Sequence, residues 1–168
     1  LIMDSNLFEN IEENISNIFP SPNINIITSI IKQCINHKID IVNQDQYGQN
    51  IRNILNFGHT LGHALESYYD FKMSHGEAIL YGMRVASHLS KKANYLNDND
   101  YQRIIKLIGT FKLPQLENLE FDQIMSYINS DKKNIGNELN YILLKNIGTA
   151  VIEKNYNKDL IKEALEIL

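Results

Sequence analysis

The sequence has little of what marks secreted, membrane-bound or nucleic-acid-binding proteins. Its one cysteine, Cys34, excludes an internal disulfide framework and indicates a reducing compartment. No apolar run reaches the roughly 18 residues of a membrane span, and no basic-then-apolar leader opens the chain. Basic residues form only short Lys pairs, and the net charge is -4. These absences argue against a membrane or nucleic-acid partner and favour a cytoplasmic protein.

Composition places the chain among ordinary globular domains. Hydrophobic residues make up 43% and charged residues 21% of its 168 positions, which suffices for one well-packed core. We therefore expect a single domain over residues 1–168, without an internal linker. A weakly acidic protein can still bind an anionic small molecule, because a local pocket of Lys, Arg and His outweighs the net charge.

Apolar residues recur at helical spacing through most of the chain. The first predicted helix is capped by Asp4 or Ser5 and ended by Pro20 and Pro22. Further helices are predicted over residues 24 to about 42, 52 to about 69, 75 to about 93, 99–109, 121–129 and 158–168. Two β-leaning runs, residues 141–144 and 150–152, flank a turn at residues 146–148 and predict a hairpin. The expected fold class is mainly α with one small β-hairpin.

The most informative stretch is residues 52–63, Arg-Asn-Ile-Leu-Asn-Phe-Gly-His-Thr-Leu-Gly-His. If it forms one helix, the spacings 4, 3 and 4 place its polar members within an arc of roughly 60°. These members are Arg52, Asn56, His59 and His63. The face lacks the Lys and Glu that usually cover exposed helix surface. We therefore predict that it is the wall of a binding site.

Two glycines, Gly58 and Gly62, lie within the same stretch. Glycine inside a helix costs about 1 kcal/mol relative to alanine, so both need a reason. An absent side chain lets either a ligand or another backbone approach closely. The sequence does not choose between these two explanations.

A third histidine, His75, follows Ser74 and precedes Glu77 by two residues. Ser74 and Glu77 form a capping box, so His75 is predicted in the first turn of a helix. The positive end of the helix dipole favours the neutral imidazole there, and a metal ligand must be unprotonated. His59 and His75 are therefore candidate ligands for a zinc site.

Less specific explanations of these residues stay open. Two histidines four residues apart on a helix are more often surface or core residues than ligands. Lys38 lies at the edge of an apolar stripe on the second predicted helix, where it either reaches water or points into a polar cavity. A non-catalytic helical binding domain, in which the histidines only pack or bind an anion, is the corresponding alternative function.

Residues 52–66 together with His75-Gly76-Glu77-Ala78 and Gly82-Met83 resemble the signature of the 3-dehydroquinate synthases. The similarity continues through Asp4, Leu7, Phe8 and Lys38, and through residues 131–134, 142–144 and 147–148. It thus covers nearly the whole chain. It implies conversion of 3-deoxy-D-arabino-heptulosonate 7-phosphate to 3-dehydroquinate and phosphate, a step of the shikimate pathway of aromatic amino-acid biosynthesis.

The resemblance also implies a cofactor set and an assembly. Members of this family are NAD-dependent lyases that require a divalent metal, zinc or another such as cobalt, and they form homodimers. An N-terminal α/β domain binds NAD, and a C-terminal helical domain carries most of the site. This chain corresponds to the C-terminal, metal- and substrate-binding domain, with the N-terminal domain absent from it.

Residue roles follow from the positions that match the motif. His59 and His75 correspond to the two metal-ligand histidines, and His63 to a histidine of proton transfer and phosphate contact. Lys38, Arg52 and Asn56 correspond to catalytic and substrate-binding residues. Of the pair Lys132 and Lys133, Lys133 is the better match to a late substrate contact.

Two departures from the family pattern bear on activity. The third metal ligand, a glutamate, is expected upstream of this chain, as is the NAD-binding half. Gly48 stands four residues before Arg52, where the family usually has a glutamate; Gln46 or Gln49 is a candidate to compensate. We expect the isolated chain to fold but to lack cyclase activity. Another sugar-phosphate cyclase, of the inosose or valiolone type, is the alternative within the superfamily.

Overall fold

The computed structural model describes residues 1–48, 50–133, 140–154 and 157–168, apart from the side chains at 131–133 and 158. Its helices are α1 (Ser5–Glu13), α2 (Ile15–Ile18), α3 (Ile24–Gln44), a 3₁₀ helix (Ile51–Asn56), α4 (His59–Tyr68), α5 (His75–Lys92), α6 (Asp98–Ile108), α7 (Phe121–Lys133) and α8 (Lys158–Leu165). Strands β1 (Asn140–Asn146) and β2 (Thr149–Lys154) form an antiparallel pair. The prediction of a mainly α fold with one hairpin is confirmed. No helix in the described part of the chain combines the length and apolar character needed to cross a bilayer.

The first predicted helix is two helices in the structure. Asp4 caps α1 by accepting a 2.8 Å hydrogen bond from the backbone N–H of Leu7, as the sequence indicates. The helix ends at Asn14, whose side-chain amide donates to the backbone carbonyl of Asn10 at 2.9 Å. Asn competes in this way with the regular helical hydrogen bonds, which explains why the apolar stripe alone overestimates the helix.

Helix α3 is longer and far more exposed than its apolar stripe suggests. It reaches Gln44 rather than Val42, and of its side chains only that of Ile41 is fully buried. Four isoleucines on it are roughly half exposed or more: Ile24, Ile31, Ile35 and Ile39. The helix packs on the 3₁₀ helix and also on α1 and α2.

Helix α5 is the centre of the core. Its inner face, including Ala78, Val85, Ala86 and Leu89, is completely buried. Helix α4 packs along it on one side, and the hairpin, α6 and α8 pack around the rest. Strand β1 is tied to it directly, since the Ser90 hydroxyl accepts a 2.9 Å hydrogen bond from the backbone N–H of Leu144. Helix α5, whose first turn carries His75, is therefore held by neighbouring elements on several sides.

Candidate metal and substrate site

The polar residues of the 52–63 stretch do not share one helix, so this prediction is wrong. Arg52 and Asn56 lie on the 3₁₀ helix, whereas His59 begins α4. Between them Gly58 adopts φ +82°, a left-handed conformation that interrupts the helical path. The backbone turns here because α5 lies directly behind it.

Close approach of α4 to α5 explains the glycines of the motif. A Cβ on Gly58 would lie 2.8 Å from the backbone nitrogen of Met83, and one on Gly62 would lie 2.5 Å from Cδ1 of Ile79. At Gly58 the obstacle is the main chain of α5, so that position has no room for a side chain, whereas at Gly62 it is the end of the flexible Ile79 side chain. Gly58 therefore admits another backbone rather than a ligand, and Gly62 admits the Ile79 side chain of the same helix α5.

A polar cavity forms in spite of the break. Its lining residues include four predicted to contact the substrate or metal, namely Lys38, Arg52, Asn56 and His59. Lys38 comes from α3, Arg52 and Asn56 from the 3₁₀ helix, and His59 from α4. Lys38 is exposed and also borders this polar cavity, so both of its predicted environments apply to it.

Arg52 is held by the loop that precedes it. Its Nη1 donates to the backbone carbonyl of Gln46 at 2.9 Å. A Cβ on Gly48 would face Cδ of Arg52 at 3.6 Å, so the position usually occupied by glutamate does point at this side chain. In place of a glutamate side chain at position 48, the main-chain carbonyl of Gln46 accepts the hydrogen bond from Arg52. Gln49, the other candidate, lies outside the described residues.

Sequence reasoning missed Asp45, which organises this loop. Its side chain is 8% exposed and accepts hydrogen bonds from the backbone N–H groups of Asn50, at 2.7 Å, and Arg52, at 3.0 Å. The same residue ends α3, so one carboxylate joins the helix of Lys38 to the helix of Arg52. Asp45 lies six residues before the 3₁₀ helix, whose N-cap position is Asn50, so no local capping pattern in the sequence indicates this role.

The three histidines of the motif converge. The ring centroids of His59 and His63 are 5.3 Å apart, those of His59 and His75 are 5.4 Å apart, and those of His63 and His75 are 6.0 Å apart. His75 lies in the first turn of α5, behind the predicted capping box, in which Ser74 N–H donates to Glu77 at 3.0 Å. Two histidines of α4 and one of α5 therefore form one imidazole cluster.

Hydrogen bonds fix the same ring nitrogen in two of these histidines. Nδ1 of His59 lies 3.3 Å from the carbonyl oxygen of Phe57, and Nδ1 of His75 lies 3.1 Å from Oε1 of Glu66. Both partners are oxygen acceptors, so Nδ1 carries the proton in each case. Nε2 is then left with its lone pair, which is the arrangement typical of a metal-ligating histidine.

Electrostatics also favour the neutral form of His59. Burial lowers the pKa of its imidazole, and the neighbouring His63 and His75 lower the pKa further, against a smaller opposing effect of the Phe57 carbonyl and Glu66. A neutral ring is the state a metal ligand needs.

Glu66 is the second residue that sequence reasoning missed, although it belongs to the quoted motif. The ligand atoms of His63, Glu66 and His75 all lie within 4.8 Å of one another. Its signal is positional, since it follows His59 by seven residues and His63 by three on α4. Those spacings place Glu66 on the same face of α4 as His59 and His63.

The late substrate contact predicted at Lys132 or, with the better match, Lys133 lies outside the described side chains. The side chains of Lys132 and Lys133 are outside the described part of α7, and Asn134 is outside the described residues altogether. The role of Lys133 therefore stays a prediction. His63 itself borders a second cavity, between α4 and α7, together with Glu66, Tyr127 and Ser130.

Solved structures identify the class of fold. The chain superimposes on 2-epi-5-epi-valiolone synthase from Streptomyces hygroscopicus, with NAD⁺ and Zn²⁺ bound, at a TM-score of 0.86 and 20% identity, covering 99% of this chain and 47% of that one. It also matches a 2-deoxy-scyllo-inosose synthase complexed with carbaglucose-6-phosphate, NAD⁺ and Co²⁺, at a TM-score of 0.70 and 24% identity, covering 96% of this chain and 51% of that one. The chain therefore has the fold of about half of each of these two synthases.

Sequence comparison then gives the family. Residues 1–134 match the family model described as 3-dehydroquinate synthase C-terminal, and the chain belongs to this family. A 3-dehydroquinate synthase from Colwellia psychrerythraea is 34% identical over 98% of this chain and 47% of its own length. One from Dehalococcoides mccartyi is 40% identical over 98% of this chain and 46% of its own length. The chain thus spans about half the length of the curated relatives it matches.

Proposed function

We propose that this chain is the metal- and substrate-binding half of a 3-dehydroquinate synthase. The full-length enzyme is then an NAD- and metal-dependent lyase that converts 3-deoxy-D-arabino-heptulosonate 7-phosphate to 3-dehydroquinate and phosphate. The observation that carries the proposal is the cavity lined by Lys38, Arg52, Asn56 and His59, next to His75. Family membership and relatives at 34% to 40% identity support it.

The metal site is proposed to use Nε2 of His59 and of His75. Support comes from the Nδ1 hydrogen bonds of both rings to oxygen acceptors and from the lowered pKa of His59. Two imidazoles fit zinc or cobalt, and a third ligand is proposed from the upstream half. When bound, the metal supplies Lewis-acid polarisation of the hydroxyl that is oxidised.

The residues proposed to bind each group of the substrate are chosen by charge and hydrogen-bonding capacity. Lys38 and Arg52 are cations at a cavity wall and suit the phosphate and carboxylate of the sugar phosphate. The Asn56 amide both donates and accepts, which suits a hydroxyl. His63, beside the two proposed ligands, is proposed to move protons during phosphate elimination. Lys133 is proposed as a further substrate contact.

NAD binding is proposed to belong to an N-terminal α/β half that this chain does not include. We accordingly expect no cyclase activity from the 168-residue chain alone. A homodimer and a cytoplasmic location are proposed on the family resemblance and on the single cysteine.

Calorimetry on this chain tests the proposal. Zinc is expected to bind at one weak site, and His59→Ala or His75→Ala is expected to abolish binding. Titration with 3-deoxy-D-arabino-heptulosonate 7-phosphate, with inosose- and valiolone-type sugar-phosphate precursors as competitors, distinguishes the substrate. Preference for a competitor would favour another cyclase, and zinc binding that is absent or indifferent to both substitutions would favour a non-catalytic domain.

A further inference from the structure

We infer that Glu66 is a positioning residue for His75, holding Nδ1–H of the imidazole so that Nε2 faces the metal position. The inference rests on the proposed metal site and adds to it a residue of α4 that acts through a residue of α5. Its direct observation is the 3.1 Å contact between Oε1 of Glu66 and Nδ1 of His75.

His75 needs such a restraint because its ring contacts with His59 and His63 leave much of the side chain in solvent. Its side chain is 57% exposed, whereas that of Glu66 is only 13% exposed. An imidazole at the first turn of a helix, open to solvent over half its surface, can rotate about χ1 and χ2. The less exposed Glu66 therefore fixes the more exposed His75.

A second contact ties the two segments together. The backbone carbonyl of Glu66 accepts a 2.8 Å hydrogen bond from the N–H of Phe71, within the loop that leads to α5. Side chain and main chain of one residue thus hold the loop and the histidine that follows it. Glu66 therefore restrains the ring of His75 directly and the loop before His75 through Phe71.

The chemistry of a carboxylate partner favours metal binding. A carboxylate oxygen accepts but does not donate, so it selects the Nδ1–H tautomer and raises the basicity of Nε2. Removing such a partner typically weakens metal affinity by roughly 10- to 100-fold. His59 has a neutral acceptor in the same role, the carbonyl of Phe57, so only His75 depends on an ionised side chain.

Direct ligation by Glu66 is the competing arrangement, since its carboxylate and atoms of His63 and His75 lie within 4.8 Å of one another. The contact with Nδ1 favours the positioning role, because the carboxylate is already engaged by an N–H donor. The two roles differ in how they respond to substitution. An amide keeps an oxygen acceptor but is a poor metal ligand.

The test combines zinc calorimetry with ¹⁵N NMR of the histidine rings on this chain. We expect Glu66→Ala to weaken zinc binding by roughly 10- to 100-fold, Glu66→Gln to weaken it less, and Glu13→Gln, an exposed carboxylate on α1, to leave it unchanged. In the metal-free protein, His75 is expected as the Nδ1–H tautomer, which Glu66→Ala converts to a mixture while His59 stays unchanged.

The outcomes separate this inference from the proposed function. Zinc binding that Glu66→Ala does not alter, or a metal-free His75 in the Nε2–H tautomer, overturns the role of Glu66 alone. Equal losses in Glu66→Gln and Glu66→Ala, with a changed Co²⁺ absorption spectrum, make Glu66 a ligand and also overturn it. Zinc binding that is absent, or unaffected by His59→Ala and His75→Ala, overturns the metal site and this inference together.

Discussion

Gly58 and Gly82 are in direct backbone contact where the start of α4 crosses α5. A Cβ on Gly82 would lie 1.8 Å from the carbonyl oxygen of Gly58, so the two main chains occupy the space of a side chain. One residue after Gly58 is His59, and His75 lies two turns before Gly82 on α5. The distance of 5.4 Å between these two imidazoles therefore depends on a contact that only glycine permits.

Substitution of Gly82 by alanine tests this dependence. The added methyl forces α4 away from α5, so we expect a loss of about 1–3 kcal/mol or more in the free energy of unfolding and weaker zinc binding. Gly76→Ala on the same helix is the matched control, because nothing lies within 4 Å of its Cβ position. That change is expected to be neutral or stabilising by up to about 1 kcal/mol. Urea unfolding and zinc calorimetry measure both, and a well-tolerated Gly82→Ala would contradict the explanation.

Asp45→Asn tests the loop that presents Arg52. The substitution removes the charge from a buried acceptor of two backbone N–H groups, so we expect a loss of about 1–3 kcal/mol in unfolding free energy and weaker anion binding. Asp40→Asn, an exposed change on the same helix, is the control and should alter neither. Urea unfolding and phosphate titration provide the measurements. Equal behaviour of the two variants would show that Asp45 does not organise the site.

The cations of the cavity are tested by Arg52→Ala and Lys38→Ala. Each removes a charged hydrogen-bond donor worth about 1.5–3 kcal/mol, so affinity for the sugar phosphate is expected to fall by roughly tenfold or more. Stability should change little, because Lys38 is exposed and, among the described residues, the Arg52 side chain donates only to the Gln46 carbonyl. The backbone N–H of Arg52, which donates to Asp45, is kept in the alanine variant. Lys32→Ala, exposed on α3, is the matched control. If all three variants bind the sugar phosphate with the same affinity, Arg52 and Lys38 do not contribute to its binding.

Stability should decline as the pH falls below the ordinary pKa of histidine. Burial, followed by Lys92 and Lys91, lowers the pKa of His88 from 6.5. The unfolded chain then binds a proton that the folded chain resists, so the contribution is complete above about pH 6.5 and is lost below it. His88→Asn should flatten the dependence of unfolding free energy on pH between about 7 and 5. An unchanged slope would rule out His88 as its source.

The elements of this fold were predictable because their signals are local. Helical periodicity, the Asp4 cap and the capping box of Ser74 and Glu77 each involve residues within a few positions of one another, and all are present in the structure. The alternation and turn of the hairpin are equally short-ranged. His59, His63 and His75 were likewise singled out from local signals, namely the four-residue spacing of the first two and the capping box beside the third.

The arrangement of the site was decided by tertiary contacts. A periodic pattern could not show that the helix breaks at Gly58, because the cause is α5, about twenty residues further along the chain. It could not pair Glu66 with His75, or show that Gln46, one of the two candidates to compensate for Gly48, contacts Arg52 through its main-chain carbonyl. The sequence by itself determined most of the residues that form the candidate site, though not Asp45 or Glu66. Only packing between separate elements determined which atoms face one another, since backbone crossing and hydrogen-bond direction are not encoded in spacing.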